Sequence, residues 1–238
     1  PLRAALEQSP ERWDTDLALA AAMRGRRVVM GTVFKQGLRD GEAAGVGALG
    51  PPLTGDGESL PLDFVTPRGF VGNVGVLQAA AADAGFFDNP LTDADGVYRR
   101  VPVVQRYEGE LYPSLALAVT RLAMNAEAVA FEFDPPEPPT ALSLERMHIG
   151  PLSARLDRNV AVYVPYRGYQ GSFPYVSAAD VIEGRADHSL LRGRIVLIGT
   201  TAPGLLDFRV TPIENPFAGV EIHANIISAL LDNRTLQK

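Results

Sequence analysis

IVLIGTTAPGLLDFRVTP at residues 195–212, followed closely by GVEIHANIISALL at 219–231, is the stretch whose reading decides the fold. An apolar run ends in Gly199. Two threonines, a glycine-bearing turn and an Asp-x-Arg follow, then a proline-bounded loop and an amphipathic run. That order predicts a buried strand at 195–198, a polar loop at its carboxyl end, and a returning helix over 220–231. In open α/β sheets such strand ends are where ligands sit.

Outward from this stretch the same alternation recurs. Residues 14–23 predict a helix with Asp14 or Thr15 as N-cap and with Leu17, Ala20 and Ala21 facing inward. Gly25 ends it and a strand follows at 28–34. Between 35 and 68 periodicity is lost to Gly and Pro, which predicts a long surface excursion. Residues 78–84 read as helix, 97–107 as a half-buried strand, and 113 onward as a helix with Pro113 in its first turn. The proline run at 134–139 is a stiff connector. A hairpin is expected around Gly150 and Pro151, a strand at 160–164, and a short helix opened by a Ser177-x-x-Asp180 capping box and closed by Gly184. The fold class expected is α/β: a central mixed β-sheet flanked by helices, with one long Gly/Pro-rich surface loop.

The bulk properties exclude whole classes of function. The chain has 238 residues, 46% of them apolar, enough for a sizeable core. A net charge of −6 argues against a nucleic-acid footprint and against a basic membrane-surface patch. Cysteine is absent, which removes disulfides, thiolate nucleophiles and cysteine-ligated zinc. No apolar run approaches the roughly 18–20 residues of a membrane span. Pro1 rather than Met leads us to expect an excised part of a longer protein.

Few motifs survive inspection. Gly45, Gly47 and Gly50 match a dinucleotide fingerprint on paper, but no strand precedes them and no helix follows. Asp93-x-Asp95-Gly96 has half of a calcium loop; Leu91 and Pro102 stand where its other ligands belong, so it reads as a tight turn. His148, His188 and His223 lack metal-binding spacing, and His223 is expected to be buried against a backbone carbonyl. Serine-hydrolase and Walker-type signatures are missing. The best polar cluster is Thr200, Thr201, Asp207 and Arg209. It reads either as a pocket at a strand end or as a set of groups that satisfies an irregular loop. Arg99 and Arg100, being consecutive on a strand, should face opposite sides.

Several segments resemble, in order, the second type of CHASE domain, an extracytoplasmic sensor module of bacterial receptors. They are DLALA at 16–20 with VVMG at 28–31; DADGVYRR at 93–100; YPSLALA at 112–118; Tyr166 to Phe173 with VSAADV at 176–181; IVLIGTTA at 195–202 with Gly204, Leu205, Asp207, Thr211 and Pro212; and GVEIHANI at 219–226. The family's usual opening strand and helix, with a Trp-Pro-Trp-Arg-like segment, has no counterpart here, where Trp13 is the only tryptophan. The chain is therefore read as a single sensor domain over 1–238, either missing residues at its front or beginning differently.

The resemblance implies a non-enzymatic input domain on the periplasmic face of the bacterial inner membrane, joined through transmembrane helices to a cyclase or kinase. It implies no cofactor, no metal and no catalytic residues. The ligand-site candidates are Thr200, Thr201, Asp207, Arg209, Tyr112, Ser114 and Arg99, with an unknown small molecule or periplasmic protein as partner and a homodimer compatible with paired outputs. Two rivals stand beside it: a periplasmic protein-interaction module without a small-molecule ligand, and an α/β hydrolase-like enzyme using His223 with Asp207.

Overall fold

A computed structural model describes residues 14–54, 60, 62–134, 143–201 and 208–235. Helix α1 (Thr15–Met23) starts where the Asp14 carboxylate accepts the N–H groups of Asp16 and Leu17, both at 3.0 Å. Its inward stripe is Ala20 and Met23, one turn apart, packed on Leu77 and Ala80 of α2 (Gly75–Ala80). Leu17 and Ala21, expected to face inward, are exposed. The chain reverses at Gly25, whose φ of +70° suits glycine, and enters β1 (Val29–Lys35).

Strand β1 pairs in parallel with β4 (Asp83–Phe86) and antiparallel with β3 (Gly69–Val71), and β2 (Gly45–Val46) lies beyond β3. This is the expected mixed sheet, in the order β2-β3-β1-β4. The helix expected at 78–84 is shorter and earlier. Asp83 and Ala84 belong to β4, where all four residues are buried and ladder pairing with β1 overrides their alanine-rich context. Gly85 lets β4 lie directly on the next helix: a Cβ there would sit 2.5 Å from the Leu115 nitrogen and the Ser114 carbonyl carbon.

The strand expected at 97–107 is broken into β5 (Arg100–Pro102) and β6 (Val104–Tyr107). Val103 lies between them; its N–H bonds to Val160 O and its carbonyl accepts from Ser114 N–H. Each half therefore has its own partner. Strand β6 forms a hairpin with β7 (Glu110–Pro113), and β5 pairs with β11 (Ala161–Tyr163). Pro113 closes β7 rather than opening a helix. Ser114 caps α3 (Leu115–Met124) by accepting from Leu117 N–H at 3.2 Å. The antiparallel meander β8 (Val129–Asp134), β9 (Ser143–Ile149) and β10 (Leu152–Arg155) contains the expected hairpin. Helix α4 (Ala178–Ile182) follows Ser177, but the Ser177 side chain makes no capping bond.

A short hairpin of β12 (Phe208–Arg209) and β13 (Phe217–Ala218) leads straight into α5 (Gly219–Leu231). Ile222, Ile226 and Leu230 of α5 bury against Val101, Val103, Leu117, Met147 and Ile149 in the main core.

One central expectation fails. Residues 195–198 are not a strand, and Ile195, Val196 and Ile198 are 46%, 53% and 96% exposed. Strand propensity is realised only where a neighbouring strand and a covered face exist, and among the described residues nothing pairs with this segment.

Candidate functional site

Helix α5 is strongly apolar, yet it buries Glu221, His223 and Asn225 at 2%, 8% and 1% exposure. Buried polar groups require partners, and these three tie the helix to distant segments. The Glu221 carboxylate accepts from Gly171 N–H at 3.0 Å, Phe173 N–H at 3.4 Å and Tyr175 O–H at 2.6 Å. Burial, then the Glu221 carboxylate, holds the Tyr175 hydroxyl well above the usual tyrosine range. One turn on, Asn225 accepts from Arg167 N–H at 2.9 Å and donates to the Glu221 carbonyl at 2.8 Å. Arg167 also reaches Asp232 just past the helix, at 3.2 Å.

His223 faces the other way. Its ring bonds to the Phe87 backbone, as the sequence led us to expect, and its Nδ1 has no partner. Burial first, then the Arg209 charge, lowers its pKa from 6.5 to about 4, so the ring is neutral.

A pocket lies at the start of α5, lined by Phe87, Asn89, Tyr98, Val101, Arg209, Gly219, Ile222 and His223, with a volume of about 20 Å³. That is room for one water-sized group. The local sequence explains its walls. The β12–β13 pairing sets Arg209 opposite Phe217, two residues before α5. Tyr98 N–H bonds to Val210 O at 2.8 Å, which brings the Tyr98 ring within 5.6 Å of the Arg209 guanidinium carbon. Asn89 is held by Arg100 O and Leu91 N–H.

Of the ligand-site candidates from the sequence, Arg209 alone among the described residues lines this pocket. Thr200 and Thr201 are exposed. Asp207 lies outside the described residues. Ser114 is buried as the α3 cap. Tyr112 stacks its edge on Phe34, and burial raises its pKa. Arg99 is engaged by Asp93 at 2.7 Å and Asp95 at 2.8 Å, and the Arg99 hydrogen bond holds the Asp95 carboxyl down at about 2. Arg100 bonds Asp157 at 2.6 Å and also approaches Asp93 at 3.8 Å. Both arginines thus reach Asp93, contrary to the opposite-face expectation, because Arg99 precedes β5.

Sequence reasoning missed Glu221, Asn225, Tyr98, Asn89 and Phe87. A signal was present for the first two: polar residues at i and i+4 share a helix face, here within an otherwise apolar run. The enzyme reading needs His223 beside a nucleophile in an open cleft. Among the described residues its ring is buried and its one hydrogen bond goes to backbone.

The chain matches the CHASE2 domain family over residues 4–238 and belongs to that family. CHASE2 domains are extracellular sensory domains of signalling receptors, and they are not catalytic. No curated protein and no solved structure matches the chain. Among the described residues no helix is long and apolar enough to cross a membrane.

Proposed function

We propose that this chain is the periplasmic input domain of a bacterial inner-membrane receptor whose output is a cyclase or kinase. A ligand or a periplasmic partner biases two arrangements of the domain, and α5 passes that bias toward the membrane. The shift can be no larger than the ligand's difference in affinity for the two arrangements.

The observation that carries this reading, beside family membership, is the set of buried clamps on α5. One helix is fastened through Glu221, His223 and Asn225 to the 167–175 loop and to Phe87. A change at either place therefore reaches the helix through discrete bonds.

The absence of cysteine supplies a test of the compartment. Ile198→Cys, at the most exposed large apolar side chain among the described residues, should be labelled by a membrane-impermeant maleimide in intact cells whose outer membrane alone is permeabilised. Labelling that appears only after the inner membrane is broken would refute the periplasmic placement.

A further inference from the structure

We propose that Asp88 is a proton-binding site whose charge sets the direction of a hydrogen-bond relay through Gln105 to Gln36 at the surface, making acid an input of the domain. This deepens the sensory reading and rests on it.

Asp88 lies just past β4 and is half-buried. Its Oδ1 accepts from Phe34 N–H at 2.6 Å, and its Oδ2 accepts from Gln105 Nε2 at 3.0 Å. Gln105, on β6, is 0% exposed, and its Oε1 accepts from Gln36 Nε2 at 3.3 Å. Gln36 is exposed just past β1. An ionised carboxylate can only accept, whereas a side-chain amide has one accepting end and one donating end. The Asp88 charge therefore orients both amides, each with its nitrogen toward Asp88. A proton needs no cavity to reach such a site.

Protonation inverts this order. The proton goes to Oδ2, because Oδ1 faces a backbone N–H that cannot become an acceptor. The new O–H then opposes the Gln105 Nε2 donors, and buried donors set against each other are costly. Half a turn of the Gln105 amide sets Oε1 against the O–H and Nε2 against Gln36, which rotates at the surface to accept. Burial raises the Asp88 pKa above the ordinary carboxylate value, against the pull of the Phe34 and Gln105 hydrogen bonds. Among the described residues no charged side chain contributes to that shift. The charged and titratable neighbours are engaged elsewhere. Lys35 pairs with Glu42, Arg106 donates to Leu60 O and lies over the Phe64 ring, and Tyr107 and Tyr112 pack on the Phe34 ring. The relay reaches α5 because Phe87, the residue before Asp88, holds the His223 ring through its backbone.

The experiment follows the Asp88 carboxyl carbon and the Gln105 side-chain amide protons by NMR in the 238-residue chain, from pH 7 to pH 4. As Asp88 titrates, the Gln105 amide protons should exchange their NOEs to the Asp88 Hβ protons for NOEs to the Gln36 Hγ protons. Asp88→Asn presents one acceptor and one donor at every pH, so it should show the acid pattern at pH 7. The change should persist in His223→Gln. A Gln105 amide that stays put while Asp88 titrates, or a wild-type neutral pattern in Asp88→Asn, overturns the relay and leaves the sensory reading standing. Loss of the change in His223→Gln overturns the assignment to Asp88. In the intact receptor, Asp88→Asn at pH 7 should give the output that wild type gives below the Asp88 midpoint. An output equal to that of wild type at pH 7 overturns acid as an input.

Discussion

Burial sets the character of His223. The unfolded chain takes up a proton near the ordinary value of 6.5, whereas the folded ring does so only near 4. The folded state therefore binds fewer protons between those values, and stability falls as pH drops through that window. The loss attributable to this residue should approach about 3 kcal/mol by pH 4, at roughly 1.4 kcal/mol for each tenfold loss of proton affinity on folding. Urea unfolding of wild type and His223→Gln at pH 7 and pH 4.5 should show a smaller pH dependence in the variant; equal dependence would mean the ring is not buried as described. Glu221 makes a different demand, because its carboxylate's hydrogen-bond partners among the described residues are all donors. Glu221→Gln sets an amide N–H against one of them and should cost about 1–3 kcal/mol, with faster amide exchange at Gly171 and Phe173. Full protection of those amides in the variant would count against the clamp. The burial of His223 was legible in the sequence from its place on an apolar helix face. The partners of Glu221 were not, because the loop that meets it lies about 50 positions away in the chain.

Elements whose signals are local were read well. Asp14 opens α1, Gly150 turns a hairpin, and the spacing of Ile222, Ile226 and Leu230 gives α5. Elements that depend on distant neighbours were read less well. The 97–107 segment divides because Val103 exchanges partners, and 195–198 stays irregular although its composition favours a strand. Two substitutions separate these cases. Gly85→Ala pushes a methyl into the backbone at the start of α3 and should destabilise by about 2 kcal/mol or more, read by thermal unfolding. A loss under about 0.5 kcal/mol would show that β4 and α3 do not approach so closely. Ile198→Lys, by contrast, should change stability by no more than about 0.5 kcal/mol, because its side chain already faces solvent. A larger loss would mean that the Ile198 side chain, unlike its solvent-facing position here, is packed against something.

At the scale of the molecule, the α/β class and the family were both accessible from ordered sequence segments, and the match over 4–238 bears out the family. The expected cluster was less accessible. Its candidates were chosen for lying near one presumed strand end, and without that strand Thr200 and Thr201 stand in solvent while Arg209 joins residues from three other segments. What remains is a domain whose last described helix is fixed by buried polar bonds as well as by apolar packing. The most direct measurement compares an intact receptor with one carrying Glu221→Gln and Asn225→Ala, recording output activity and the amide exchange of 219–231 together. Faster exchange in the helix together with a shifted output is the expected result. Faster exchange with output unchanged would contradict the claim that α5 carries the signal.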